Sequence, residues 1–423
     1  MSAGALPRLL RGAGPRPLNW DQHRAAFGEL GPAAQFVEQL AASGLRGRGG
    51  AAFPTHLKVK LISADRARRK YVVVNAMEGE PAAHKDRSLL GAHPHLVLDG
   101  ALALARAVGA KDIALCIARE NTATVNHAER AIHERERHDR QGISFELHTP
   151  PGRYIAGEES ALVHWLDDNE TLPQFRPARP SILRIGRGSV LVDNAETHAN
   201  VALIARYGAE WFRSLGTSQH PGTALVSISG AVARPTVLEV ALGTPLRDIL
   251  VAGGAVSDPR ALLLGGYGGS WIGADHLDTP YDNESLAAIG ASIGAGVIVV
   301  LPQQSCGVAE TYNITRWMAN ESARQCGPCA FGLPAMAESL GQITSAVREP
   351  AAAVAQLRER ATVIDGRGAC RHPDGVVRMV QSALRVFSDD VDAHATGRAC
   401  AYAGNSHFAT VPRLEREQEL AWQ

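Results

Sequence analysis

Gly44-Leu45-Arg46-Gly47-Arg48-Gly49-Gly50-Ala51-Ala52-Phe53-Pro54-Thr55-His56-Leu57-Lys58 carries four glycines within its first seven residues. Glycines let the backbone turn sharply and approach a ligand that a Cβ would hold off. Arg46, Arg48 and Lys58 add positive charge. Pro54 suits a helix start, where free N–H groups attract an anion. The combination fits a loop that holds the phosphate of a cofactor. A flexible basic loop with no ligand has the same composition. The dinucleotide fingerprint is a poorer match, because no clear strand precedes the loop and the glycines fall at other intervals.

Working outward from this loop, strand and helix patterns alternate. Tyr71 to Asn75 reads as a strand and His95 to Val108 as a helix. Asp112 to Ala118, Thr122 to Arg137 and Ile143 to His148 read as strand, helix and strand. Such alternation predicts an α/β layer fold. The pattern changes near Gln219-His220-Pro221-Gly222. Strands are expected over Ala224 to Ser229, Thr236 to Val240, Ala261 to Leu264 and Val297 to Leu301, with a short helix at Pro245 to Val251. These form a small α+β unit. From Gly307 onward only helical patterns remain, over Val308 to Asn320, Gly332 to Leu340, Ala351 to Arg360 and Gly375 to Phe387.

Among 423 residues, Lys plus Arg and Asp plus Glu both number 43, so the formal charge is zero. That balance argues against nucleic-acid or membrane-surface binding, which favour a basic excess. No apolar run is long and uncharged enough to span a membrane, and no secretory leader is recognisable, so a cytoplasmic location is expected. Cysteines stand at 116, 306, 326, 329, 370 and 400. Cys116 lies in an apolar strand. The other five follow residue 300, and in a reducing compartment such a group reads as metal before disulfide.

Three further segments carry polar chemistry. Asn75-Ala76-Met77-Glu78-Gly79-Glu80-Pro81 follows a strand, where ligands bind in α/β folds. Tyr154-Ile155-Ala156-Gly157-Glu158-Glu159-Ser160 precedes a helical run, and Asp193-Asn194-Ala195-Glu196-Thr197 ends a strand. Each alone also suits a cap or a turn. Together with the glycine loop, and in this order over roughly residues 30 to 390, they resemble the NADH-binding, FMN-carrying subunit of respiratory complex I. Related flavin subunits occur in NAD-linked hydrogenases and formate dehydrogenases.

The resemblance implies a Rossmann-like FMN-binding α/β domain over 1–219, a ubiquitin-like β-grasp (SLBB) domain over 220–303, a helical iron–sulfur domain over 304–400, and a tail. It implies that Gly47, Gly49, Gly50, Lys58 and Asn75 hold FMN, with Glu78, Tyr154, Gly157, Glu158, Asp193, Asn194 and Thr197 completing the pocket. Phe53, Glu80 and Glu159 would face the dinucleotide, and Arg176 would stand near its phosphates. Hydride from NAD(P)H would reach FMN, and electrons would leave through a [4Fe–4S] cluster. The acceptor would be a ferredoxin-like [2Fe–2S] protein or a quinone-reducing partner.

Several positions depart from the family. Met77 stands in place of an Asp, Gly79 in place of a Ser, Ala52 and Ala82 in place of glycines, and Arg179 in place of a phenylalanine. Arginines at 176 and 179 are expected to weaken discrimination against NADPH. The family iron–sulfur motif reads Ser-Cys-Gly-x-Cys-x-Pro-Cys, with a fourth Cys about forty residues later. Here Ser322-Ala323-Arg324-Gln325-Cys326-Gly327-Pro328-Cys329 has Ala323 at the first ligand position. Cys326, Cys329 and Cys370 match the other three. Cys400, returned by a turn at Gly397, is expected to be the fourth. The alternatives are an unused tail thiol beside a three-iron site, zinc in place of the cluster, or a non-catalytic scaffold that keeps the fold.

Overall fold

The structure, a computed structural model, describes residues 6–31, 35–138, 142–175, 182–256, 258–345, 350–403, 409 and 411. Three helices precede the first strand: α1 (Trp20–Phe27), α2 (Phe36–Ser43) and α3 (Thr55–Ala64). Pro54 is the residue ahead of α3, as the sequence predicts. Then come β1 (Lys70–Ala76), α4 (Lys85–Ala92), α5 (Pro94–Val108), β2 (Asp112–Ile117), α6 (Thr122–His138) and β3 (Ser144–His148). The first region closes with α7 (Glu159–Asp168), β4 (Leu183–Ile185), β5 (Gly188–Asn194) and α8 (Ala195–Arg213).

The first sheet has the order β3-β2-β1-β5-β4, parallel except for β4 against β5. Val72, Val73 and Val74 of β1 are wholly buried, which suits a β-branched run covered on both faces. The chain leaves β1 toward β2 on one flank and returns to it through β5 on the other. This reversal opens a crevice at the carboxyl ends of β1 and β5. On one face α5 and α8 pack so closely that a Cβ on Gly100 would stand 1.7 Å from the His198 carbonyl oxygen.

The second sheet comprises β6 (Thr223–Gly230), β7 (Thr236–Ala241), β8 (Pro259–Leu264), β9 (Ser270–Gly273) and β10 (Val297–Pro302). Helices α9 (Leu246–Ala252) and α10 (Asn283–Ala288) interrupt them. Its order is β7-β6-β10-β8-β9, with β6 and β10 parallel and the other pairs antiparallel. Val226, Ile228, Leu264 and Ile298 share a core with Ile249 and Leu250 of α9. β9 has no counterpart among the strands expected from sequence, because its four residues, Ser270–Gly273, are too few to display an alternation.

Helices α11 (Gly307–Asn320), α12 (Leu333–Ser345), α13 (Pro350–Ile364), α14 (His372–Val386) and α15 (Ser388–Ala395) make the C-terminal region. α11 and α14 run antiparallel. At one end the Gly307 N–H donates to Asp390 (3.2 Å), and at the other His372 Nε2 donates to the Met318 carbonyl (2.9 Å). Before α1, the N–H groups of Arg8, Leu9 and Leu10 converge on Glu239 of β7, at 2.7, 2.7 and 3.2 Å. Among the described residues no helix is long and apolar enough to cross a membrane.

Candidate functional site

A cavity of about 880 Å³ opens at the carboxyl ends of β1 and β5. Gly49, Gly50 and Ala51 of the glycine loop form one wall. Asn75, Glu78, Gly79 and Glu80 follow β1, Tyr154, Gly157, Glu158 and Glu159 lead into α7, and Asp193 and Asn194 end β5. Gly268 and Ala295 reach in from the second sheet, and Arg371, His372, Gly375 and Arg378 from around the start of α14. All three regions therefore meet at this cavity.

The glycine loop is a narrow hairpin in which the Gly47 N–H donates to the Phe53 carbonyl (2.9 Å). Gly50 takes φ 103°, open to glycine, and Ala52 takes φ 49°. Gly47 and Phe53 hold the hairpin and do not line the cavity. Thr197 accepts from the Arg48 N–H (2.9 Å) and anchors the loop to α8. The loop's cations are already matched within the protein, contrary to the expectation of free charge for a phosphate. Arg46 donates to the Ala52 carbonyl (3.1 Å). The buried Arg48 guanidinium donates to the Thr223 carbonyl (2.9 Å) and stands 3.7 Å from Glu196. Burial of a guanidinium requires such a partner. What the loop offers a ligand is the bare backbone of Gly49 and Gly50.

Lys58 Nζ lies 2.6 Å from Glu159, 2.8 Å from the Val192 carbonyl and 3.4 Å from Asp193. Burial works against its charge, but Asp193 and Glu159 outweigh burial and raise its pKa. Burial lifts Asp193 to about 6 against the pull of Lys58, so both are charged at neutral pH. Sequence reasoning did not single out a second buried hub. Lys85 Nζ contacts Glu196 (2.6 Å), the Arg48 carbonyl (3.0 Å) and Asn194 (3.2 Å). Glu196 also accepts from the Leu225 N–H (2.9 Å), so this hub ties the first sheet to the second. Pairing over such separations leaves no local sequence signal.

The asparagines fix the crevice. Asn75 donates to the Gly157 carbonyl (2.8 Å), and Asn194 donates to Asp86 (2.6 Å). Two of the expected cofactor-binding carboxylates act as helix caps. Glu78 accepts from the Asp86 N–H (2.8 Å), the Arg87 N–H (3.1 Å) and the Arg87 Nε (2.9 Å) at the head of α4. Glu158 accepts from the N–H groups of Ser160 (2.8 Å) and Ala161 (3.0 Å) at the head of α7. Glu80 differs. It is buried and meets the Tyr267 N–H at 3.0 Å. Burial pushes its pKa from 4.5 to about 8, with the Tyr267 N–H opposing. Gly79 lets this segment pack tightly, since a Cβ there would stand 2.7 Å from the Arg153 carbonyl oxygen. Met77 points away into the apolar core with Val73, Cys116 and Ala156.

Tyr154 forms the wall toward the helical region. Its ring meets Trp317 and His372 edge-on, at 5.6 and 5.4 Å between centroids. Burial raises its pKa, and Glu80 and Cys370 add to the rise. Glu321, next after α11, accepts from Arg153 Nε (3.0 Å) and the Tyr154 N–H (2.9 Å). Cys329 and Cys370 are buried and Cys326 is half-buried. Burial pushes the Cys329 thiol up, and Cys326 and Cys370 push it further, so both lie within electrostatic reach of Cys329. Arg324 ahead of them takes φ 54°, where the family motif has glycine.

The fourth expected ligand is elsewhere. Cys400 groups with Cys306 and His394. Its expected return toward Cys370 fails because α14 carries the chain away and α15 does not reverse that course. Arg176 and Arg179 lie outside the described residues. Sequence reasoning also missed His372 and Arg371 in the cavity wall, because it began the last long helix at Gly375. Pro373 in the first turn was the available signal.

The arrangement suits a flavin phosphate, because Gly49 and Gly50 present backbone without side chains to the cavity. The three grouped thiols are soft donors suited to iron–sulfur ligation.

Comparisons with known proteins agree with this geometry. A family model described as the Nuo51 FMN-binding domain matches residues 40–203. One described as the NADH-ubiquinone oxidoreductase-F iron-sulfur binding region matches residues 309–394. The NADH-quinone oxidoreductase F-subunit of Streptomyces coelicolor is 31% identical over 385 residues, covering 88% of this chain and 86% of that protein. Its Escherichia coli counterpart is 32% identical with the same coverage. In solved structures, an NAD+-reducing [NiFe]-hydrogenase in the H2-reduced state aligns with a TM-score of 0.82 and 27% identity. That match covers 92% of this chain and 66% of the hydrogenase chain. With the glycine-loop crevice inside the first match and the grouped thiols inside the second, the chain belongs to the NADH-quinone oxidoreductase F-subunit family.

Proposed function

We propose that this chain is an NADH-oxidising, FMN- and iron–sulfur-carrying subunit of an electron-transfer complex. The observation that carries the reading is the shared wall: Tyr154 and His372 both line the cavity with their rings 5.4 Å apart, and His372 stands two residues after Cys370. FMN and a [4Fe–4S] cluster, when bound, supply hydride acceptance from the nicotinamide and one-electron transfer onward. Gly49 and Gly50 hold the flavin phosphate on bare backbone. Asn75 and Asn194 keep the β1 and β5 ends at fixed separation. Glu80 and Glu159 face the dinucleotide, and Glu80 holds a proton at neutral pH. Tyr154 and His372 keep water out between the cavity and the thiols. Cys326, Cys329 and Cys370 hold the cluster.

The same reading divides the chain into an FMN-binding part over 1–219, a β-grasp part over 220–303 and an iron–sulfur part over 304–400. The strand order of the second sheet, with a parallel central pair, supports the β-grasp assignment. The electron acceptor is a protein subunit, of which a ferredoxin-like [2Fe–2S] protein is the type the resemblance implies. Six cysteines free of disulfides suit a reducing compartment, and we place the chain in the cytoplasm.

Anaerobic purification followed by chromatography of the released flavin and assay of iron and sulfide tests this. FMN, iron and sulfide should be found, and NADH should bleach the flavin absorbance. Release of FAD would refute the flavin assignment. Absence of flavin after reconstitution with FMN, or no bleaching by NADH or NADPH, would make the chain a scaffold that keeps the fold alone.

A further inference from the structure

Cys306, His394 and Cys400 bring two sulfurs and an imidazole nitrogen within 4.8 Å of one another. All three side chains are buried, at 0%, 1% and 6% exposure. Cys306 caps the N-terminus of α11, His394 lies in α15, and Cys400 comes six residues after His394. His394 Nε2 stands 3.5 Å from Cys306 Sγ. Cys306 Sγ also accepts from the Ala309 N–H at 3.4 Å, which fixes the sulfur at the head of α11. Asp390 steadies the junction by accepting from the Gly307 N–H (3.2 Å) and from Arg260 (2.9 Å).

We propose that Cys306, His394 and Cys400 form a zinc site, distinct from the Cys326, Cys329 and Cys370 thiols. Two thiolates and one neutral imidazole are three of the four ligands of a tetrahedral zinc ion, and water or another small donor takes the fourth position. The two thiols release their protons on binding, and the two thiolates neutralise the ion's charge. Sulfur and imidazole donors exclude magnesium and calcium, which take oxygen. The site cannot be an edge of the cluster proposed above. The 14 residues of α11 separate Cys306 from the Cys326 end. At 1.5 Å per residue that is about 21 Å. The ion would clamp the segment after α15 onto the head of α11. This inference stands independently of the flavin reading.

The test measures zinc and iron per chain in protein isolated anaerobically, as wild type, Cys306→Ser, Cys400→Ser and Cys329→Ser. Wild type should hold one zinc that Cys306→Ser and Cys400→Ser each lose, with iron and the visible spectrum unchanged. Cys329→Ser should lose iron and keep zinc. If the variants fail to fold, cobalt(II) exchanged into the wild-type holoprotein should give the thiolate charge-transfer band of a tetrahedral site. A wild type that neither contains zinc nor takes up cobalt at this site overturns the proposal. So does a Cys306–Cys400 disulfide in the anaerobic protein, or loss of iron in Cys400→Ser.

Discussion

Glu80 shows how much one side chain's surroundings decide. Among the described residues no cation pairs with it, and its pKa rises to about 8 because burial disfavours the charge. Between pH 4.5 and about 8 the folded chain therefore holds a proton there that the unfolded chain has released. Stability from this group is complete below pH 4.5 and falls as pH rises through that window, by up to about 1.4 kcal/mol per pH unit. Glu80→Gln should flatten this part of the pH profile, measured as urea midpoints from pH 5 to 9. An unchanged slope would show that Glu80 is ionised in the folded state. The residue itself was legible in the sequence as a polar group after a strand. Its protonation was not, because that depends on burial, to which the loop of Gly266 and Tyr267, 187 positions away, contributes cover although its Tyr267 N–H opposes the shift.

Whole elements were easier to read than their ends or their partners. The buried valines of β1 and the apolar stripe of α5 announce themselves by composition and period. The start of α14 was read three residues late, and with it the cavity lost His372 and Arg371 from the expected wall. Cys400 was misplaced for a related reason: sequence gives a helix's length and says nothing of the direction of the chain beyond it. The joint between the Tyr154 turn and α11 rests on Glu321, which is 5% exposed and accepts two hydrogen bonds. Glu321→Gln removes the negative charge facing the buried Arg153 and should cost about 3 kcal/mol. It should also speed flavin loss, followed by dialysis and fluorescence of the released flavin. Retention equal to wild type would disconnect this joint from the cavity.

At the scale of the whole molecule, the order of sheet, sheet and helices was visible in the sequence, but the joint between the two sheets was not. Arg48, Lys85 and Glu196 are wholly enclosed where those regions meet. Lys85→Met strands Glu196 and Asp86 beside one cation fewer. It should destabilise the chain by about 3–5 kcal/mol, read as a lowered thermal midpoint. A loss below about 1 kcal/mol would mean that Arg48 alone satisfies the joint.

The amides of Arg8, Leu9 and Leu10 close on Glu239, and the first of these contacts spans 231 positions. During synthesis at 5–20 residues per second, roughly 10–50 s separate the emergence of the two partners from the ribosome. This segment is therefore among the last to find its place, and its three amides wait for β7 while the first sheet is already forming behind them.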